Sequence, residues 1–193
     1  MVKWGSAVTH PDLHESFLSR LNRWKPVDLP LELPERVATK LREEAERAGM
    51  LVEELVAEAL AKFLGEPLDP EDRLELHLKL SEKYLRDAED FLAKGDYVQA
   101  SEKAWGAAAQ MVKAVAAREG RVLRSHRELH EYVAELSKKM GDREVVRLWL
   151  AASSLHQNFY ENWLPGEAVK SAVEDVKVFV EKLRSYFYKS LIK

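Results

Sequence analysis

The stretch of the sequence best equipped for chemistry is 153–163, which reads SSLHQNFYENW. Three of the six Asn and Gln side chains of the chain fall in it, beside His156 and Tyr160. An imidazole can exchange protons near neutral pH, and amides and phenols can both donate and accept hydrogen bonds. The stretch therefore supplies a candidate catalytic residue, His156, and two candidate ligand-binding residues, Asn158 and Tyr160.

A series of arginines follows a predicted helix end, at Arg118, Arg121, Arg124 and Arg127. In an up-and-down bundle the loops at 120–125 and 164–166 lie at the same end, and the 142–163 helix finishes there too. Guanidinium groups match phosphate oxygens, and Tyr160 or Trp163 could stack on a base. We therefore expect a mouth that binds a nucleotide or RNA. Its candidate ligand-binding residues are Arg121, Arg124, His126, Asn158 and Tyr160.

Ordinary packing is the alternative interpretation of the same residues. His156, Phe159 and Trp163 are spaced by three, four and seven, which is typical of a core stripe on a helix. A histidine on such a stripe is usually a hydrogen-bonded packing residue. Acidic neighbours could also neutralise the arginines, namely Glu119, Glu128 and Glu131.

Composition excludes several classes of protein. The 193 residues include no Cys, so there is no disulfide, thiolate metal site or Cys nucleophile, and a reducing cytoplasm suits the chain. We expect no membrane span, because no stretch approaches ~18 consecutive apolar residues. His126 and His130 share a helical face, but a metal site needs a third ligand and none is near in sequence. With no Gly-rich phosphate loop either, no cofactor and no metal are expected.

The hydrophobic periodicity predicts an all-α fold with five long helices in the second part of the chain. They span roughly 70–94, 96–119, 125–139, 142–163 and 166–190. Asp69 and Pro70 are typical of a helix start, and Ser125 with Glu128 forms a capping-box pattern. Short connections make these helices an up-and-down bundle. The alanine-rich second helix is expected to be central.

The first part of the chain is predicted to be a separate module. An amphipathic helix at 10–24 needs a surface to dock on, and the three prolines of 26–34 favour an extended segment. Two short helices follow at 35–49 and 51–65, and neither can bury its apolar stripe alone. We therefore divide the chain into a docking helix at 1–25, a module at 26–66 and a bundle at 67–193.

The sequence LELPERVATKLREEAERAGMLVEELVAEALAKFL resembles a ribbon-helix-helix module. The resemblance implies a dimer whose paired strands read the DNA major groove. The ribbon at 27–33, however, carries Asp28 and Glu32 where readout needs donors and amides, and both repel phosphate. We therefore expect dimerisation or docking, and DNA binding only as an alternative.

The sequence DAEDFLAKGDYVQASEKAWGAAAQMVKAVAAREG, with SHRELHEYVAEL and SLHQNFYENWLPGEAV, resembles the HEPN superfamily and, more closely, the archaeal PaREP family with its HEPN-like bundle. The resemblance implies a homo-oligomeric helical bundle. Many HEPN proteins are ribonucleases or toxins that act beside a nucleotidyltransferase partner, and others bind nucleotides or partners without catalysis. The composition, rich in charge and poor in amides, is in addition typical of a thermophile.

The ribonuclease motif that this resemblance implies is incomplete. It needs an Arg separated from the His by four to six residues, but the positions this allows before His156, 149–151, are Trp, Leu and Ala. Arg147 lies nine residues before His156 and so on the opposite face of the helix. Arg121 and His126 have the right spacing in the wrong element. Non-catalytic binding of RNA, a nucleotide or a toxin–antitoxin-type partner is the expected function. A ribonuclease with a displaced arginine and a DNA-binding regulator are the alternatives.

Overall fold

The computed structural model describes residues 30–191, and this part of the chain is all-α. Its helices are α1 (Glu35–Arg47), α2 (Val52–Phe63), α3 (Pro70–Ala93), α4 (Tyr97–Arg118), α5 (His126–Met140), α6 (Glu144–Glu161) and α7 (Gly166–Leu191). The predicted all-α class and the five long helices are confirmed. The docking helix predicted at 10–24 lies outside the described residues.

The described part of the predicted ribbon, residues 30–34, is not in a strand. A strand needs a neighbour to pair its backbone N–H and C=O groups, and residues 30–191 of a single chain offer none. The segment leads directly into α1, where Pro34 is the residue before the first helical turn.

Local signals fix where the bundle helices begin and end. At the start of α3, Asp69 accepts a hydrogen bond from the backbone N–H of Asp72, and Asp72 returns one to Asp69. Ser125 and Glu128 form the same reciprocal capping box at the start of α5. Such pairs satisfy N–H groups that have no partner within the helix. The predicted boundaries at these two starts are therefore matched to within a residue.

Helix α4 lies at the centre of the bundle and packs against α3, α5, α6 and α7. Its small side chains allow this close approach, and most of them are fully buried, including Ala100, Ala104, Ala107, Ala108, Ala114 and Ala116. Large side chains from the surrounding helices fill the space around it, among them Trp149, Tyr132, Phe179 and Phe187. The expectation of a central alanine-lined helix is confirmed.

Helices α1 and α2 form a front hairpin, closed by the turn at 48–51. Gly49 adopts a left-handed conformation there, with φ of +60°. A Cβ at this position would lie 3.1 Å from the backbone oxygen of Arg124, in the loop between α4 and α5. Glycine thus permits both the turn and its close approach to the bundle.

Candidate ligand-binding cleft

A cleft of about 500 Å³ lies between the front hairpin and the bundle. The hairpin supplies one wall with α1 and the 49–53 segment, and the bundle supplies the other with α3, α4, α5 and α6. Pockets of about 300–1,000 Å³ are typical of small-molecule sites. The position of the cleft between two structural units is also where such sites are commonly found.

Aromatic and imidazole rings form the bundle wall of the cleft. The rings of Trp105 and His156 are stacked with centroids 4.6 Å apart, and the His126 ring lies 4.8 Å from His156 and 5.5 Å from Trp105. Tyr160 meets His156 edge to face at 5.3 Å. Three different helices, α4, α5 and α6, thus place four rings in one cluster. Side chains placed by helices are held in position more firmly than side chains placed by loops.

The two imidazoles of this wall are kept neutral. Burial lowers the pKa of His156 to about 4, and the neighbouring His126 lowers it further. Burial also lowers the pKa of His126, with smaller effects from His130 and Lys113. A neutral imidazole has one donor and one acceptor nitrogen. The Nδ1 atom of His156 is buried without a hydrogen-bond partner. The wall therefore offers hydrogen-bonding atoms rather than positive charge.

Charged side chains surround the mouth of the cleft. Arg42 and Glu46 line it from α1, and Glu102 and Lys103 line it from α4. The Nζ atom of Lys103 lies 4.8 Å from the ring centre of Tyr84, and the Tyr160 hydroxyl donates to Glu46 at 3.4 Å. The charges of the mouth are mixed, so it is not a general anion trap. It presents two cationic groups, Arg42 and Lys103, beside two carboxylates, Glu46 and Glu102.

A buried polar network joins the hairpin to the bundle beside the cleft. Lys113 on α4 donates to both carboxylate oxygens of Glu54 on α2, at 2.9 and 2.8 Å, and to the backbone oxygen of Gly49 at 3.2 Å. The amide of Gln110 donates to Glu54 at 2.9 Å, and its oxygen lies 2.6 Å from His77 Nδ1. Glu54 is 4% exposed and Lys113 is 3% exposed. Every donor of the ammonium group is thus satisfied without water.

The structure brings together three of the residues singled out from the sequence. His126, His156 and Tyr160 all line the cleft. Arg121 and Arg124 do not line it, although their loop touches the hairpin turn. Arg121 donates to Glu135 at 2.6 Å and lies over the ring of Tyr132 at 4.6 Å. Nearby carboxylates and rings thus direct this guanidinium away from the cleft.

Asn158 is part of the interior of the bundle. It is fully buried, donates to Ser101 at 2.9 Å and accepts from the backbone N–H of Leu164 at 2.7 Å. These bonds hold the turn after α6 against α4. Because the side chain is enclosed within the bundle, Asn158 does not line the cleft.

The core-stripe interpretation is wrong for Trp163, because α6 ends at Glu161 and the indole is 53% exposed. Phe159 is half-buried and lines the cleft. Arg147 pairs with Glu144 at 2.8 Å on the outer side of α6, away from His156. His130 accepts a hydrogen bond from the indole N–H of Trp149 at 2.8 Å, so it has a packing role.

Sequence reasoning missed Trp105 and the hairpin side of the cleft. One signal was present: Gln110 and Lys113 interrupt the otherwise apolar run GAAAQMVKAVAA. Polar and charged groups in a helix that is buried all round need partners, and those partners are on α2. Arg42, Glu46 and Lys103 carried no comparable signal, because charged residues are common on exposed helix faces.

Within residues 30–191, no three His, Asp or Glu side chains come together in a way that could hold a metal ion. None of the helices α1–α7 combines the length and hydropathy needed to cross a bilayer.

The fold and the cleft define an all-α bundle protein with a histidine- and aromatic-lined site beneath a helical hairpin. The chain belongs to the archaeal PaREP1/PaREP8 family, whose model matches residues 76–180. That range contains the ring cluster of the bundle wall. It begins after the front hairpin and so does not include it. The family match therefore covers one wall of the cleft.

A solved structure is also similar to this chain. A crystal structure of a protein from Sulfolobus solfataricus shares 30% sequence identity, with a TM-score of 0.49. The similarity covers 59% of this chain and 97% of that one. No curated protein matches the chain.

Proposed function

We propose that the cleft binds a nucleotide without chemical change, either free or as one unit of single-stranded RNA. The observation that supports this most directly is the ring wall opposite a mouth that carries Arg42 and Lys103. Ring side chains stack on bases, and guanidinium and ammonium groups contact phosphate oxygens. The neutral imidazoles of His126 and His156 add donors and acceptors for the edge of a base.

The test compares two exposed aromatic residues near the end of α6. Tyr160 is 58% exposed and lines the cleft, whereas Trp163 is similarly exposed and does not. AMP, UMP and octameric A and U oligonucleotides are titrated into each protein by calorimetry. Loss of a stacked base costs about 1–3 kcal/mol, so Tyr160→Ala should bind about tenfold more weakly and Trp163→Ala as the wild type does.

The arms of this experiment separate the two sources of the ligand. Binding of the mononucleotides indicates a free nucleotide, whereas binding of the oligonucleotides alone indicates RNA. Equal affinities of the two variants, or no binding of any probe at millimolar concentration, would show that the cleft is not a nucleotide site.

A ribonuclease is the second candidate, favoured by the two imidazoles 4.8 Å apart in one cleft. His156 would take the proton of a ribose 2′-hydroxyl as it attacks phosphorus, and protonated His126 would give a proton to the departing 5′-oxygen. The products would be a 2′,3′-cyclic phosphate and a 5′-hydroxyl end. Arg42, which lines the cleft from the hairpin, would supply the displaced guanidinium.

This alternative predicts a specific pH profile for RNA cleavage. The base His156 is neutral above its pKa of about 4, and the acid His126 is protonated only below a pKa that is under 6.5. Cleavage should therefore be fastest between these values and fall on both sides. His156→Ala and Arg42→Gln should abolish it, while Arg47→Gln, on the same helix outside the cleft, should not. A wild type inactive from pH 4 to 8 rules out catalysis.

We further propose that two copies of the chain meet through the outer side of the front hairpin. Several large apolar side chains are exposed on the hairpin and on the segment that leads into it: Leu31, Leu33, Val37, Leu60, Phe63 and Leu64. Phe63 is nine residues after Glu54 and so half a turn away from the side of α2 that faces the bundle. Neither the DNA-binding alternative nor a nucleotidyltransferase-like partner gains support of this kind.

A further inference from the structure

The front hairpin is attached to the bundle in an unusual way. The continuous hydrophobic core is built from residues of α3–α7 and the loop before α5, and it contains no residue of α1 or α2. The buried apolar residue of the hairpin is Ala45. Ala45, Met50, Leu51 and Val52 of the hairpin line the cleft, but no apolar side chain of the hairpin joins the core cluster, and several large ones are exposed. Apolar burial therefore contributes less to holding the hairpin in place than it does among the bundle helices.

Charged hydrogen bonds hold it instead. Besides the Glu54–Lys113 pair, Glu53 accepts from the Tyr84 hydroxyl at 2.6 Å and from Lys83 at 3.0 Å. Arg73 pairs with Glu58 at 3.3 Å. All of these contacts join α2 to α3 or α4. Together they form a row of polar attachments along one side of the hairpin.

Such attachments differ from apolar packing in what happens when they separate. Apolar surfaces resist separation because water must then cover them, which makes a packed helix part of one cooperative unit. Charged groups that separate are rehydrated, so much of their interaction energy is recovered. A hairpin held mainly by charged groups can therefore open as a unit while the bundle stays folded.

The cleft lies directly beneath this hairpin. Arg42, Glu46 and Gly49 are hairpin residues that line the cleft, and Glu53 and Lys113 line it as well as joining the two units. Opening the hairpin would widen the cleft, and closing it would place Arg42 and Glu46 against the ring wall. The attachment of the hairpin and the shape of the cleft are therefore set by the same residues.

We propose that the front hairpin is a movable wall of the cleft and that Glu54 and Lys113 are the positioning residues that hold it closed. Ligand enters when the hairpin opens and is retained when the pair forms again. The part of this inference that concerns the ligand rests on the proposed nucleotide site. The part that concerns the hairpin can be tested without any ligand.

The first experiment is native-state amide hydrogen exchange on the wild-type protein. The amides of α1 and α2 should exchange through an opening that is separate from, and more frequent than, the opening that exposes α4 and α7. The same amides should respond to AMP, which is expected to slow exchange in the hairpin alone. If α1 and α2 exchange only together with α4, the hairpin is part of the bundle and the proposal fails.

The second experiment compares single and double variants of the buried Glu54–Lys113 pair. Glu54→Gln leaves an unpaired ammonium and Lys113→Met an unpaired carboxylate, whereas the double variant leaves neither. Because breaking a buried pair is strongly destabilising, each single variant should speed hairpin exchange by about a hundredfold or more. The double variant should return most of the way to wild type. Lys139→Met, in an exposed pair with Glu119, is the control and should change nothing.

The rate of ligand association distinguishes control of ligand entry by Glu54 and Lys113 from a purely structural role of these residues. If ligand enters through the open hairpin, the association rate constant of AMP, followed by tryptophan fluorescence, should rise in the single variants in step with hairpin exchange. It should fall again in the double variant. Unchanged association beside faster exchange contradicts entry by this route.

The outcomes also separate this inference from the proposed function. If no nucleotide binds, the nucleotide site is wrong, and exchange in the wild type still decides whether the hairpin opens on its own. If AMP binds but the hairpin exchanges only with the bundle, the site stands and the movable wall does not. Should a single variant fail to fold, the wild type and the double variant carry the comparison.

Discussion

His156 is the residue whose surroundings most change its chemistry. Its ring contacts those of Trp105 and His126, its Nδ1 has no hydrogen-bond partner, and burial lowers its pKa to about 4, well below the usual 6.5. In the unfolded chain the same imidazole takes up a proton at the usual value. The folded protein therefore binds this proton only at a lower pH than the unfolded chain does.

This difference predicts a loss of stability in acid. The contribution of His156 is fully present above pH 6.5 and is lost as the pH falls toward 4, because the unfolded state takes up the proton first. Allowing for the partial exposure of the ring, the loss should be about 1–2 kcal/mol. Urea unfolding at pH 7 and pH 4.5 should show this extra loss in the wild type relative to His156→Phe. Identical pH dependence of the two proteins would contradict the lowered pKa.

The sequence predicted part of this residue-level picture. It placed His126, His156 and Tyr160 at one end of the bundle, because chain topology and helix ends are enough for that. It placed Asn158, Arg121 and Arg124 there too, but none of them lines the cleft, and the first two have other side-chain partners. The exact rotation of a helix about its axis, to within a few tens of degrees, depends on how it packs. The direction of an arginine side chain depends on which carboxylate lies nearest. Neither can be read from spacing alone.

Among the elements, the bundle helices were predictable and the hairpin attachment was not. Capping residues and apolar periodicity are local signals, so α3–α7 appear close to their predicted limits. The position of the hairpin depends on Glu54 meeting Lys113, which are 59 residues apart. Two acidic residues at the start of a helix are equally typical of a solvent-exposed first turn. The first turn of α2 by itself therefore does not indicate that Glu54 is buried.

The close contact between α3 and α4 depends on Gly106, which has no side chain. A Cβ at Gly106 would lie 2.5 Å from Cδ2 of Tyr84 and 2.9 Å from its Cε2. The Tyr84 ring therefore packs directly on the α4 backbone, and it also lines the cleft and donates to Glu53. Gly106 thus allows one aromatic residue to serve the core, the cleft and the hairpin.

Gly106→Ala should consequently destabilise the protein despite the better helix propensity of alanine. Overpacking costs about 1–3 kcal/mol and the propensity gain returns about 0.5–1, so we expect a net loss of about 1–2 kcal/mol in the free energy of unfolding. Chemical denaturation measures it. In a Tyr84→Leu background the same substitution should cost almost nothing. A similar loss in both backgrounds would place the strain elsewhere.

At the scale of the whole molecule, the exposed side of the hairpin is the surface best suited to bind a second copy of the chain. Phe63 is 85% exposed and Leu64 is 70% exposed, next to one another at the end of α2. Exposed clusters of large apolar residues commonly mark association sites. The proposed pairing of two copies through this side would leave the cleft, on the opposite side of the hairpin, open to solvent.

We therefore expect the wild type to be a dimer in solution and Phe63→Asp to be a monomer, because a charge at the centre of an apolar interface loses its hydration without gaining a partner. Light scattering after gel filtration gives the mass. Leu150→Asp is the matched control, since Leu150 is an exposed leucine on α6, outside the hairpin. A wild-type monomer, or loss of the dimer in both variants, would contradict this assignment of the interface.

The burial of α4 on all sides has a consequence for how the chain is made. Helices α3 and α4 adjoin in sequence and can pair as soon as residue 118 has left the ribosome. The other side of α4 is covered by α7, which begins 48 residues later, at Gly166. Until α7 has been synthesised, the apolar side of α4 that α7 later covers is exposed in the nascent chain. Helix α7, which is translated after α3–α6, is thus the one that covers the centre of the molecule.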